Sequence, residues 1–248
     1  VKATMATVDG VFANPGGLHS RAIEARKTVF EARKTIARLI DARPEEIVFT
    51  ASATESNTLA ITGAVEAWKK MHKDMRPHVI ISAIEHPSII EIANMLEIDG
   101  VEITKVPVDE FGVVKLDELK SALRPTTVVV SIMQANNEIG TIEPIDAITK
   151  TLRHYKKEIK SELDPEYPLL HVDATQAFQY MPIRIVKPEV DLLTLSSGKI
   201  YGPRGIALLF VRNNIPFFSP MPGGGQEDGR RGGTEIPALI VDLASEKK

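Results

Sequence analysis

Residues 127–133 read Thr-Val-Val-Val-Ser-Ile-Met (TVVVSIM). The run is apolar without alternation, as a strand must be when helices cover both faces of its sheet. Outward from it, strand-length apolar runs recur at 46–51, 78–82, 102–108, 169–174, 191–196 and 206–211. Between the earlier runs the period changes to that of helices, over 19–40, 54–68, 87–98, 116–123 and 145–159. In the first of these Ala22, Ala25, Val29, Ala32, Ile36 and Leu39 recur in steps of three and four among Arg, Lys and Glu. That is one apolar stripe on an amphipathic helix. Strand and helix in alternation predict an α/β layout with a mostly parallel sheet and helices on both faces. The segment 156–168 is charged and proline-punctuated and reads as a surface excursion, and 222–234 (PGGGQEDGRRGGT) reads as a loop. The chain opens almost directly in a loop and ends in a weakly patterned stub, 243–248, so both ends look incomplete.

Composition excludes several classes. The 248 residues are 43% hydrophobic and 25% charged, with a net charge of -3, as in ordinary globular proteins. No basic cluster interleaved with aromatics suggests nucleic acid. No apolar run is long enough to span a bilayer, and residues 1–10 lack the layout of a secretory signal. With no cysteine there is no disulfide and no Cys-ligated metal, which fits a cytoplasmic protein.

Three motifs stand at predicted C-terminal strand ends, where open α/β sheets hold ligands. In Thr50-Ala51-Ser52-Ala53-Thr54-Glu55, Ser52 and Glu55 fit a capping box, and the helix N-terminus behind them suits a phosphate. Taken alone, this motif reads as an ordinary cap. In His171-Val172-Asp173-Ala174-Thr175-Gln176, Asp173 either holds a protonated ring nitrogen or caps the next turn. His171 reads as a packed strand residue, since no second metal ligand stands at helical or strand spacing from it. In Ser196-Ser197-Gly198-Lys199-Ile200-Tyr201-Gly202-Pro203, Lys199 lies among small residues between a strand and a turn. An isolated loop lysine is normally a solvated charge. Beside the other two motifs, Lys199 reads as a lysine tucked away from water at the sheet's edge, able to act as a Schiff-base nucleophile.

Seven stretches carry a resemblance: 14–20 (NPGGLHS), 49–59 (FTASATESNTL), 82–87 (SAIEHP), 131–141 (SIMQANNEIGT), 171–177 (HVDATQA), 199–205 (KIYGPRG) and 223–235 (GGGQEDGRRGGTE). In this order they resemble the cysteine desulfurases of the class V aminotransferases, which use pyridoxal 5′-phosphate (PLP). The resemblance implies the large domain of the aspartate-aminotransferase type over 1–248. It implies that Lys199 binds the cofactor as a Schiff base and later moves protons at the substrate carbon. Asp173 would pair with the pyridine nitrogen, and His86 would stack on the ring as a candidate acid or base. Asn137 and Gln176 would contact the ring and its phenolic oxygen. Ala53, Thr54 and Ser196 would bind the phosphate, and Thr234 would reach the phosphate of a partner subunit in a homodimer. Read without the family, His86 is a turn histidine before Pro87 and Asn137 a capping asparagine.

The implied reaction takes L-cysteine to L-alanine and persulfide sulfur, for iron–sulfur cluster assembly or tRNA thiolation, with a sulfur acceptor or scaffold protein as a possible partner. Several positions depart from the family pattern. Gly198 replaces the usual histidine before the lysine, a phosphate contact whose loss corresponds to about tenfold in affinity. Gly232 replaces a usual serine, Gln134 stands where a histidine or other ring is common, and 3–7 (ATMAT) is a degraded form of an Ala-Thr-Thr run. No cysteine is present to carry a persulfide. Two other readings follow: a different PLP reaction, such as transamination or β-elimination, and a catalytically inactive fragment or paralogue that dimerises.

Overall fold

The computed structural model describes residues 13–159, 166–185 and 189–245; the expectations on 3–7, on the middle of the 156–168 excursion and on the chain's last residues lie outside these. Seven strands form one sheet: β1 (Ile47–Thr50), β2 (His78–Ser82), β3 (Glu102–Val106), β4 (Thr127–Met133), β5 (Leu169–Asp173), β6 (Leu192–Ser196) and β7 (Ala207–Val211). Their spatial order is β1-β7-β6-β5-β4-β2-β3. The pairs among β2 to β6 are parallel. β7 runs antiparallel to both its neighbours, so β1 points the same way as β6. Six strands therefore share one direction, and their C-terminal ends open on a single edge.

Among the described residues six helices cover the sheet: α1 (Ser20–Leu39), α2 (Ala53–Met71), α3 (Pro87–Ile98), α4 (Leu116–Ala122), α5 (Ile145–Ile159) and α6 (Pro237–Ser245). One face packs Val130, Ile132, Leu170, Val172, Leu193, Leu208 and Phe210 against α1, α4, α5 and α6. The other packs Val79, Ile81, Val129, Leu169, Leu192 and Leu209 against α2 and α3, with Trp68 fully buried. Two covered faces explain why β4 is apolar throughout, its seven residues all buried. The exception in composition is Ser131, which alternates with Val130 and Ile132 and so faces α2.

The predicted elements appear within three residues of the expected bounds. α6 is an addition: Pro237–Ser245 is helical and packs Ile240 and Leu243 into the core beside α1, where the sequence reading placed no helix and took 243–248 as a stub.

Candidate active site

The first corner of the site is the β1–α2 junction. Ser52 is extended and caps α2, its Oγ accepting the Glu55 N–H at 3.1 Å, while the Glu55 carboxylate reaches back to the Ala51 N–H at 2.8 Å. The Ala53 and Thr54 N–H groups, in the first turn, have no carbonyl one turn earlier to bond, and they carry the positive end of the helix dipole. Arg231 donates to Glu55 at 2.6 Å, tying the glycine-rich loop to this corner. The same loop is anchored from below. Glu227, buried, accepts from Arg33 at 2.8 and 2.9 Å and from the Phe49 N–H at 3.0 Å. Gly232 sits where a Cβ would lie 2.6 Å from the Pro222 carbonyl oxygen and 2.7 Å from Gly223 Cα. Close backbone packing thus accounts for glycine in place of serine. Gly198 differs: a Cβ there would meet only Arg204 Cγ, at 3.7 Å, so the missing histidine is not a matter of space.

At the centre, Asp173 ends β5 and is 6% exposed. Its Oδ1 accepts the Thr175 N–H at 3.0 Å and its Oδ2 the Asn57 amide at 2.8 Å. The turn-capping role is thus present at Asp173. Two residues earlier on the same strand face, His171 is fully buried between Ser131 Oγ (2.8 Å) and Thr194 Oγ1 (3.1 Å). This polar rung crosses β4, β5 and β6 directly below Asp173. Burial pushes the His171 pKa down to about 4, against the pull of Asp173. His171 is thus a packed strand residue, neutral at ordinary pH.

β2 contributes the loop after Ser82. Glu85 is 4% exposed, accepts from Ser82 Oγ and from the Met133 N–H, and so fastens this loop to the end of β4. Burial raises its pKa to about 8, with hydrogen bonds from Ser82 and Met133 opposing and the charges of Asp173 and Glu143 adding. His86 follows as the cap of α3, its Nδ1 accepting the Ser88 N–H at 3.1 Å; the side chain is exposed above the strand ends.

Lys199 corrects one expectation. It lies in the single 3₁₀ turn Ser197–Lys199 after β6, and its side chain is exposed rather than tucked against the sheet. The turn, closed by Ile200 and Gly202 N–H groups on the Ser197 carbonyl at 3.0 Å each, carries it past the last strand residue, where the helical cover ends. Its strand is nevertheless the neighbour of Asp173, which pairs with Thr194 across β5 and β6. Of the other expected residues, Ala53, Gln176 and Ser196 are partly buried, and Thr54, Asn137 and Thr234 are exposed. Asn136, not Asn137, is the capping asparagine, accepting from the Glu138 and Ile139 N–H groups at 2.8 and 3.1 Å. All but Thr234 stand on the C-terminal edge of the sheet; Thr234 is in the glycine-rich loop. Sequence reading missed Asn57, Ser88 and Glu85. A polar Asn57 between the apolar positions of α2 is the signal that was available.

An α/β sheet with a lysine, an aspartate and a helix N-terminus on its C-terminal edge is a site of the fold class to which the chain belongs: the aminotransferase class-V family, whose model matches residues 1–230. Among curated proteins it is 40% identical over 232 residues to the cysteine desulfurase IscS of Dictyoglomus turgidum, covering 94% of this chain and 55% of that one. It is 42% identical over 240 residues to the IscS of Vibrio vulnificus, covering 96% and 56%. Among solved structures, a NifS-like protein superposes with a TM-score of 0.91 at 34% identity, covering 99% of this chain and 64% of that one. A structure of SspA in complex with cysteine gives 0.87 at 35%, covering 99% and 67%. The chain spans about half the length of these curated relatives. No helix among the described residues is long and apolar enough to cross a membrane.

Proposed function

We propose that this chain is the cofactor-binding core of a PLP-dependent cysteine desulfurase acting on L-cysteine. The observation that carries the reading is Asp173: a buried carboxylate at a strand end, held by one donor on each oxygen, beside the strand that leads into Lys199. The residues fit the cofactor's three reactive or charged parts. Asp173 suits a protonated ring nitrogen, the Lys199 amine an aldehyde, and the Ala53 and Thr54 N–H groups with Ser196 a phosphate. Four of the buried polar atoms without a hydrogen-bond partner among the described residues stand in the same motifs, Asn57 Oδ1, Glu85 Oε2, Thr175 Oγ1 and Ser197 Oγ, and others lie elsewhere. Such atoms are rare in finished sites and suit one completed by a ligand.

When bound, PLP supplies an electron sink for the substrate's α-carbon. Lys199 then holds or moves the proton at that carbon, and Asp173 keeps the ring nitrogen protonated. His86 covers the ring, Asn137 and Gln176 contact its edge, and Thr234 completes the phosphate site of a second copy in a homodimer. Overall, L-cysteine and a thiol give L-alanine and the persulfide of that thiol. These 248 residues hold no cysteine, so the thiol lies outside them, and its sulfur goes on to cluster assembly or tRNA thiolation. The reading places the protein in the cytoplasm.

The test is reconstitution with PLP. A near-visible absorbance band that is lost in Lys199→Ala, with alanine formed from cysteine in the presence of a thiol acceptor, is the expected result. No band in the wild-type protein would overturn the reading. A second reading is a β-elimination, which needs only Lys199 and Asp173, both on the strand-end edge. It would release pyruvate, ammonia and sulfide in place of alanine.

A further inference from the structure

Asn57 is fully buried in α2, and its Nδ2 lies 2.8 Å from Asp173 Oδ2 and 3.0 Å from Ser88 Oγ. A carboxylate only accepts, so the amide turns its NH₂ toward Asp173, and both hydrogens are then used, one on each partner. Ser88 Oγ has accepted from Asn57 and has one hydrogen left to give. Its next neighbour is His86 Nδ1, at 2.9 Å. That nitrogen also lies 3.1 Å from the Ser88 backbone N–H, which can only donate. Two donors converge on Nδ1. It must carry the lone pair, and the ring hydrogen sits on Nε2.

We infer that Asn57 and Ser88 are positioning residues: they join the carboxylate under the cofactor's ring nitrogen to the imidazole that covers the ring, and hold His86 as its Nε2–H tautomer. What Asp173 and His86 do rests on the proposed function; the link and the tautomer do not. The bonds run outward from Asn57, which donates to Asp173 on one side and through Ser88 to His86 on the other. A change at either end is therefore felt at the other without any contact between Asp173 and His86.

The test uses the whole chain labelled with ¹⁵N-histidine, first without PLP. Long-range ¹H–¹⁵N spectra should show His86 with a bare Nδ1 and a protonated Nε2. In Asn57→Leu the His86 Nδ1 resonance should shift although the substituted side chain would not touch the ring, while His78, held by Thr104 and Thr127, stays put. Ser88→Ala should shift it as well, and Ser88→Thr should return it. With PLP added, Asn57→Leu should bind about tenfold more weakly, the scale of one hydrogen bond to a charged group, and Ser88→Ala about threefold more weakly. A protonated Nδ1 in the wild type overturns the inference, as does an unmoved His86 signal in folded Asn57→Leu. Should Asn57→Leu not fold, Ser88→Ala and its Ser88→Thr rescue decide, because only a hydroxyl is lost. A wild-type protein that fails to bind PLP sinks the proposed function and leaves the tautomer result standing.

Discussion

Replacing Glu85 by glutamine tests the electrostatics of the strand-end edge. Folded Glu85 keeps its proton up to about pH 8, whereas the unfolded chain releases it near 4.5, because burial penalises the carboxylate. Between those values the folded state binds more protons than the unfolded one, so stability falls as pH rises, by at most about 1.4 kcal/mol per pH unit. The buried histidines slope the other way. His78 and His171 have pKa values pushed down from 6.5 to about 4, so their contribution is lost as pH falls through that range. From about pH 6.5 to about pH 8 the Glu85 slope stands clear of them and amounts to about 2 kcal/mol. Glutamine keeps the Oε1 acceptor for Ser82 and Met133 but has no proton to lose. Its amide N–H groups would occupy the place of Oε2, which has no partner among the described residues, at a cost of about 1–3 kcal/mol. Glu85→Gln should therefore be the less stable protein at about pH 6.5 and gain about 2 kcal/mol on the wild type by about pH 8. Urea unfolding followed by the fluorescence of Trp68, the chain's one tryptophan and fully buried, measures this at several pH values. A stability difference that stays constant across the window would refute the reasoning, since Glu85 would then titrate alike in both states.

Three further substitutions probe neighbouring positions. Gly198→His has room for its Cβ and should tighten PLP binding about tenfold by restoring a donor to the phosphate; an unchanged Kd in an absorbance titration would remove the phosphate from that position. Gly232→Ser should destabilise the fold, because its Cβ would collide with the backbone at Pro222 and Gly223. A loss of about 1–3 kcal/mol in urea unfolding is expected, and wild-type stability would show that the loop yields. Glu227→Ala strands the Arg33 guanidinium and the Phe49 N–H and should cost about 3–5 kcal/mol, read as a lowered thermal midpoint; a neutral result would mean that water replaces the carboxylate.

What could be read from sequence divides by the range of the interaction. β4 announces its two covered faces in its own seven residues, and α1 its stripe in steps of three and four, because burial there repeats with the local geometry. Ser52 and Glu55 are three residues apart and close their capping box within one turn. The antiparallel placement of β7 between β1 and β6 leaves no such mark: an apolar strand of five residues reads the same in either direction. α6 was not read as a helix because its apolar run at 238–241 is too short to show a period, and its packing partner α1 lies far earlier in the chain.

The same division explains the site. Lys199, Asp173 and the α2 N-terminus were legible because each ends or begins an element, and parallel strands must bring their C-terminal ends to one edge. How far Lys199 stands from that edge was not legible, since a single 3₁₀ turn sets it. Nor were the bonds of Asn57 to Asp173 and to Ser88, 116 and 31 residues away in sequence, which exist only once α2 lies across the sheet. Local patterns thus select which side chains can do chemistry, while the contacts that orient them are long-range. A variant at Asn57 should accordingly disturb the orientation of His86 more than the stability of α2, where the buried Leu59, Ile61, Val65 and Trp68 supply the packing.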